Sequence, residues 1–421
     1  MSVRPRLAIS LGDPCGIGPE LLLRSLPAIN RWADVVVVGA KAGPDHLESR
    51  PAAARNVAWR WDEALDLPAG LAFPGVEAHA LWTHGDAVWD SPGLDGQALW
   101  LDPTPAVRPQ ALPFAEPSAA SGSCALAAAR LAARIVLEGQ ADALVTLPLS
   151  KSACHLAGEA IPGHTELLQA LSGAPITRMA FLSPSLRVVL HTVHQSLASV
   201  IAELDAGAVA ETLSFTADRF IHLLGRSDLR IALCALNPHA GERGAFGDEE
   251  ALLEEARLIA EAAFLDFEVG AAGPFAALPS PFLPGPVPEG WEIFPSGKPE
   301  ARPVLAPPQP ESGRGVPRFF GPLSADSLFH RAAQGEFDVV VALYHDQGLI
   351  PIKTLEPARA VNVTLGLPFI RPSPDLGTAF DKAGRWIADP TNFLEACALA
   401  VRLAARASAR PRQAGVESGG A

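Results

Sequence analysis

Short apolar runs alternate with longer alanine- and leucine-rich stretches along most of this chain. The runs that predict buried strands cover residues 7–11, 34–39, 141–147, 188–192, 230–236, 338–343 and 361–365. The stretches that predict helices begin at Pro19 or cover residues 121–139, 249–263 and 392–406. Strands that alternate with helices in this way indicate an α/β protein with a largely parallel sheet.

Two segments break this alternation. Residues 61–118 mix Trp, Pro, Gly and Asp without a clear period, so they are predicted to be irregular. Residues 272–321 are crowded with Pro and Gly, in a chain that has 40 Pro in all. A composition of this kind favours an extended surface insertion or linker, which is placed near residues 272–318.

Composition narrows the class of protein. The 421 residues are 48% hydrophobic and carry a formal net charge of −13, which excludes a disordered chain and argues against nucleic-acid binding. A small anionic substrate stays compatible with this charge, because a few local cations can hold it. The five Cys form no CxxC pair, and no segment predicts a signal peptide or membrane span, so we expect a cytoplasmic protein with reduced thiols and no membrane partner.

Three histidines follow predicted strands: His194, His239 and His345. Ligands of open α/β sheets gather at the carboxyl ends of the strands, and three imidazoles that converge there could bind a divalent ion. Taken singly, each histidine is more often a loop residue or a hydrogen-bonded core residue. The repeated strand-then-His context, rather than any local metal motif, favours the metal site.

Two further groups suggest an anion site. His164 and Thr165 stand at a predicted helix start in PGHTE, where backbone N–H groups attract anions. Lys353, Asn362 and Arg371 lie near predicted strand ends and could clamp a phosphate or carboxylate. The alternatives are an ordinary capped helix and solvated surface charges.

The glycines of GDPCGIGPE match neither nucleotide-binding spacing, GxGxxG or GxxxxGK[ST], so a tight structural loop is favoured there. Together with five other stretches, this segment nevertheless resembles a known family, the 4-hydroxythreonine-4-phosphate dehydrogenases of vitamin B6 synthesis. The other stretches are TLPLSKSACHLAG with PGHTELL, LNPHAGERGAFGDEE, GPLSADSLF, YHDQGLIPIK and VNVTLGLPFIRPSPDLGTAFDKAG.

The resemblance implies a two-lobed fold like that of isocitrate and isopropylmalate dehydrogenases, with a cleft between the lobes. The first lobe is expected to comprise residues 1–145 and 366–421, and the second, residues 146–365, to carry the metal site. The resemblance also implies a homodimer whose active site borrows metal ligands across the interface. The implied reaction is the oxidation, with decarboxylation, of 4-phosphohydroxy-L-threonine to 3-amino-2-oxopropyl phosphate, with NAD, or NADP, as acceptor.

The resemblance implies a functional role for individual residues of this sequence, position by position. The metal ligands fall on His194, His239 and His345, which would hold Zn, Mg or Co. The substrate-binding positions, of which Asp326 is also a candidate base, are His164, Thr165, Asp326, Lys353, Asn362 and Arg371. The nucleotide-contacting loop of the wider fold corresponds to a segment that contains Asp375, Gly377 and Thr378.

The chain departs from the family pattern at His191, an additional histidine, at Ser150, where Asn is usual, and at Leu376, where His is usual. These changes and the insertion leave other functions open. One is a paralogue that acts on erythronate or threonate 4-phosphate, or on an aromatic cis-dihydrodiol carboxylate. Another is an inactive protein that binds a small anion.

Overall fold

A computed structural model of the chain describes residues 4–48, 57–63, 70–85, 95–264 and 315–408. It confirms an α/β protein with two mixed, mostly parallel sheets. The strands are β1 Arg6–Ser10, β2 Asp34–Val38, β3 Val57–Glu63, β4 Glu77–Gly85, β5 Asp95–Asp102, β6 Ala143–Thr146, β7 Arg178–Leu182, β8 Arg187–Leu190, β9 Arg230–Cys234, β10 Arg318–Leu323, β11 Val339–Ala342, β12 Val361–Leu365 and β13 Pro372–Pro374.

The helices confirm the predicted ones and add others between them. They are α1 Gly18–Ile29, α2 Ala42–Glu48, α3 Ala119–Leu137, α4 Lys151–Leu156, α5 His164–Ser172, α6 Leu197–Ala202, α7 Ala206–Leu224, α8 Glu249–Ala262, α9 Ala325–Ala333, α10 His345–Leu355 and α11 Thr391–Ser408. Short 3-10 turns span Pro109–Ala111 and Pro238–Gly244.

The first sheet has the strand order β3-β4-β5-β2-β1-β6. Strands β5, β2, β1 and β6 run parallel, so their carboxyl ends meet at one edge. The apolar runs DVVVV and ALVT form the centre of this sheet because helices cover both of its faces, and a strand buried on both faces has no polar side.

The prediction that residues 61–118 are irregular is wrong where they form strands, at residues 61–63, 77–85 and 95–102. Strands β3 and β4 pair antiparallel, and β4 pairs antiparallel with β5. A strand near the edge of a sheet buries only part of its surface, so polar residues interrupt the apolar pattern. The tryptophans supply the packing instead: the rings of Trp61 and Trp100 meet edge to face, with centroids 5.1 Å apart.

The second sheet has the order β10-β9-β11-β8-β7-β12-β13. Strands β10, β9, β11 and β8 are parallel, whereas β7, β12 and β13 add antiparallel pairs. Most of the predicted insertion, residues 265–314, lies outside the described residues. The described residues at the C-terminal end of the insertion, from residue 315, lead into β10, which pairs with β9.

The assignment of residues to two lobes stays a prediction. Residues of the first sheet end at Thr146, and those of the second begin at Arg178. The C-terminal helix α11 returns to the first sheet, where it packs against β6 and β1, and also contacts β13 of the second sheet.

Among the described helices, only α3 is long and apolar enough to cross a membrane. Of its most apolar 18-residue stretch, 61% is buried inside the protein. A Ser118–Ser121 capping box begins this helix. The five cysteines are free thiols, and all are buried.

Candidate functional site

Four predicted catalytic residues lie at one edge of the second sheet. His194, His345, His239 and Asp326 follow β8, β11, β9 and β10 respectively, each within a few residues of the strand's end. These strands are parallel and adjacent. These four residues span positions 194 to 345 of the sequence, and the strand order of the sheet brings them together at the carboxyl ends of the strands.

His194 and His345 are direct neighbours. Their ring centroids lie 6.1 Å apart, and both rings line a cavity of about 610 Å³ together with Val193 and Tyr344. Nδ1 of His345 is 2.8 Å from Oδ1 of Asp346, which leaves Nε2 for another ligand. A carboxylate on the far nitrogen is the usual support of a metal-binding imidazole.

His239 lies in a backbone turn of unusual conformation. Its φ is +54°, and Ala240, Glu242 and Arg243 also have positive φ. Non-glycine residues seldom adopt this region, and such residues cluster at functional sites. Nδ1 of His239 stands 4.0 Å from Oδ2 of Asp326, so these two predicted site residues form a second pair.

A complete metal cage is not formed by the described part of this single chain. Within residues 4–48, 57–63, 70–85, 95–264 and 315–408, no group of three or more His, Cys, Asp or Glu is close enough to hold an ion. The imidazoles stand instead as the His194–His345 pair and as His239 beside Asp326. The three-histidine ligand set stays a prediction.

A buried guanidinium forms the centre of the predicted anion site. Arg371, between β12 and β13, is 3% exposed and donates hydrogen bonds to Oγ1 of Thr364 at 2.9 Å and of Thr146 at 2.6 Å. Burial lowers the pKa of Arg371 to about 10. The negative charge of Glu166 acts in the opposite direction and raises this pKa. In the described residues Nε of Arg371 is buried without a hydrogen-bond partner.

His164 and Thr165 reach the same place from the start of α5. Burial, with the charge of Arg371 second, holds the pKa of His164 well below its usual value, so the ring is neutral. Its buried Nε2 finds no partner among the described residues. Oγ1 of Thr165 is 3.4 Å from Oγ1 of Thr364, the hydroxyl that also binds Arg371.

Asn362 and Lys353 differ in their surroundings. In the part of the chain that the structure describes, the buried Oδ1 of Asn362, on β12, lacks a partner. Lys353, in α10, forms a 2.8 Å ion pair with Asp375, a predicted cofactor residue. The backbone N–H of Asp375 donates to Oδ1 of Asn392 at 2.6 Å. A predicted substrate residue and a predicted cofactor residue are thus in direct contact.

The rest of the predicted cofactor loop packs against the glycine-rich loop. The carbonyl of Thr378 accepts a hydrogen bond from the N–H of Ile17 at 3.0 Å, and a Cβ on Gly16 would stand 2.9 Å from that carbonyl. Glycine at position 16 therefore permits a close approach that no other residue allows. Gly377 faces open space, since a Cβ there would meet nothing within 4 Å.

The structure explains the three departures from the family pattern. Nδ1 of His191 is 2.9 Å from Oγ1 of Thr212, and burial lowers the pKa of His191 to about 4, which makes it a neutral, hydrogen-bonded residue. Ser150 caps α4 by accepting from the N–H of Ala153. Leu376 packs against the main hydrophobic core.

Sequence reasoning missed three residues of this region as site residues. Thr146 and Thr364 bind the buried guanidinium, and Glu166 lies 4.0 Å from Nδ1 of His194. A threonine within an otherwise apolar strand, as in ALVT and VNVTL, was the available signal for the first two. A buried hydroxyl requires a partner.

Comparisons with known proteins give the family of the chain. The family model described as "Pyridoxal phosphate biosynthetic protein PdxA" matches residues 87–277 and 307–400. The chain is 36% identical over 405 residues to the 4-hydroxythreonine-4-phosphate dehydrogenase of Geobacter metallireducens, with 96% of each chain covered. It is 33% identical to the D-threonate 4-phosphate dehydrogenase of Cupriavidus necator, with 96% of this chain and 98% of the relative covered.

Among solved structures, the chain is similar to 4-hydroxythreonine-4-phosphate dehydrogenase from Klebsiella pneumoniae. The TM-score is 0.67 at 30% identity, and the match covers 96% of this chain and 99% of the other. The relatives are dehydrogenases, which makes this chain an oxidoreductase that acts on a CH–OH group. Fold, near-complete coverage and sequence identity together show that the chain belongs to the PdxA family of pyridoxal phosphate biosynthetic proteins.

Proposed function

We propose that this protein oxidises and decarboxylates 4-phosphohydroxy-L-threonine, with NAD as acceptor, to give 3-amino-2-oxopropyl phosphate. The observation that carries the proposal is Arg371, a buried cation whose hydrogen-bond partners among the described residues are the neutral hydroxyls of Thr364 and Thr146. A buried guanidinium without a carboxylate at contact distance is costly, and a phosphate is the ligand that compensates it best.

The anion would be held by Arg371 and by polar groups near it. Arg371 and Thr165 can donate to phosphate oxygens, and the ring of His164 offers a further N–H in one of its tautomers. Asn362 lies on β12, the strand that also carries Thr364. These contacts fix the substrate and so hold its reacting carbon in one position.

A divalent ion fits the chemistry of the three histidines. Imidazole nitrogen suits Zn²⁺ and Co²⁺ better than Mg²⁺, which prefers oxygen. His194, His239 and His345 would hold it, and Lewis-acid polarisation of the substrate hydroxyl is the chemistry that it supplies when bound. Asp326, whose Oδ2 is 4.0 Å from Nδ1 of His239, is the proposed proton acceptor.

Asp375, Gly377 and Thr378 are proposed to bind the nicotinamide cofactor, NAD or NADP, whose chemistry is to accept a hydride. Two observations support this assignment. A Cβ at Gly377 would meet open space, and the next residue, Thr378, is held against the glycine-rich loop by the hydrogen bond from Ile17. The Lys353–Asp375 ion pair joins this loop to the substrate side.

We propose that the active protein is a homodimer in the cytoplasm and that the second subunit completes the metal site. In the described chain, His194 pairs with His345, whereas His239 stands beside Asp326. Large apolar side chains are exposed on the same elements: Leu197 and Ile201 on α6, Phe246 after the His239 turn, and Ile350 on α10, which is 63% exposed. A second copy that covers these side chains would bring further ligands to the edge.

D-threonate 4-phosphate is the second candidate substrate, because a relative of that name matches the chain almost as well as the first. The two substrates differ at C2, where one carries an amino group and the other a hydroxyl. The test measures NADH formation by purified protein on each substrate, with and without added Zn²⁺. Turnover of 4-phosphohydroxy-L-threonine with the higher kcat/KM supports the proposal, and turnover of neither would favour an inactive anion-binding protein.

A further inference from the structure

We infer that Glu166 is a positioning residue shared by the two halves of this site: it orients the His194 ring and moderates the anion affinity of Arg371. The inference rests on the proposed function, since it assigns a role in that same site. It concerns a residue that neither binds the anion nor supplies a metal ligand.

The placement of Glu166 carries the inference. It lies in the first turn of α5, directly after His164 and Thr165, so the segment that contacts the anion also carries this carboxylate. Oε1 stands 4.0 Å from Nδ1 of His194, while Oε2 lies on the side of Gly163, where a Cβ would approach it to 3.1 Å. An imidazole that faces a carboxylate through one nitrogen presents the other nitrogen to a ligand.

Glu166 also lies near the anion half of the site. The hydroxyl of Thr165, the residue before Glu166, is 3.4 Å from the Thr364 hydroxyl that accepts from Arg371, and the charge of Glu166 raises the pKa of Arg371 against burial. A negative charge beside Arg371 reduces the attraction of that guanidinium for a second anion. Tight ground-state binding of the phosphate gives no acceleration by itself, so this moderation favours turnover.

A purely structural role gives a different expectation. An acidic residue in the first turn of a helix stabilises the helix through its interaction with the helix dipole. Loss of that interaction would lower the melting temperature. It would not strengthen phosphate binding and weaken metal binding at the same time, so the two ligands separate the alternatives.

The experiment titrates the full-length protein separately with Zn²⁺ alone and with inorganic phosphate alone, by calorimetry. For Glu166→Gln we expect phosphate to bind about fivefold more tightly, the effect of one partly exposed charge. Zn²⁺ should bind roughly tenfold more weakly, as for other residues that support a metal ligand. Glu166→Asp keeps the charge but not the reach, so it should retain wild-type phosphate affinity and lose Zn²⁺ affinity.

The matched control is Glu159→Gln, which removes the same charge from an exposed pair with Arg130 and should change neither titration. If the wild type binds both ligands and Glu166→Gln leaves both affinities within twofold, the inference is overturned and the proposed function survives. If the wild type binds neither ligand, the proposed function itself fails. Circular dichroism shows whether each variant is folded, and Glu166→Asp decides the Zn²⁺ effect if the glutamine variant is not.

Discussion

Replacement of Arg371 by Met should separate binding from stability. The side chain is 3% exposed, and its guanidinium donates to the hydroxyls of Thr364 and Thr146. Methionine keeps much of the aliphatic volume but removes the charge and both hydrogen bonds. The structure predicts that anion binding is lost while the free energy of unfolding of the ligand-free protein hardly changes.

The magnitude follows from two opposing effects. Burial lowers the pKa of Arg371 to about 10, and each tenfold change in acidity corresponds to about 1.4 kcal/mol, so the buried charge costs about 3 kcal/mol. Two hydrogen bonds from a charged donor contribute roughly 3 kcal/mol in the other direction. The net change in unfolding free energy should therefore stay within about 1 kcal/mol.

Phosphate binding should respond far more strongly. Loss of one partner of a buried, hydrogen-bonded charge pair costs roughly 2–5 kcal/mol, which is at least about 30-fold in Kd. Calorimetric titration with inorganic phosphate measures this directly, and urea unfolding measures the stability. Arg359→Met is the matched control, because it removes an arginine paired with Glu395 and should leave phosphate binding unchanged.

Two results would refute the reasoning. Destabilisation of Arg371→Met by more than about 3 kcal/mol would show that this arginine holds the fold together without any anion. A phosphate Kd within threefold of the wild-type value would show that the anion binds elsewhere.

Two other predictions concern pH and assembly. Burial raises the pKa of Asp13 to about 6, so the folded state prefers the protonated carboxyl and loses stability as pH rises from about 4 through 6. In urea unfolding, Asp13→Asn should thus be about 3 kcal/mol more stable than wild type at pH 8 and equal to it below pH 4. A stability difference that stays constant with pH would contradict this prediction. Ile350→Glu should shift sedimentation from dimer to monomer and abolish NADH formation, whereas Leu137→Glu, at an exposed leucine of α3, should do neither.

Much of the fold could be predicted from the sequence because central parallel strands have a simple pattern. DVVVV and ALVT are buried on both faces, so an unbroken apolar run identifies them. Strands β3 and β4 could not be found in this way. Their burial depends on pairing with β5 and on contacts such as that between Trp61 and Trp100, which only the tertiary structure shows.

The candidate site, like the fold, could be predicted from the sequence only in part. A histidine after a strand is visible in the sequence, but the order β9-β11-β8 that makes His345 the central member is a property of the sheet. The roles of Thr146 and Glu166 depend on distances between segments far apart in the chain. Resemblance to the family supplied Asn362 and Lys353, whose patterns alone are those of ordinary polar residues.

The central claim is that His194, His239 and His345 hold one cation at the edge of the second sheet. Anomalous diffraction at the zinc edge, from crystals of the full-length protein grown with Zn²⁺, tests it most directly. The account predicts a single strong peak within roughly 2.1 Å of a ring nitrogen from each of the three histidines, with more than one subunit contributing. Zinc bound away from these rings, or no zinc at all, would contradict it.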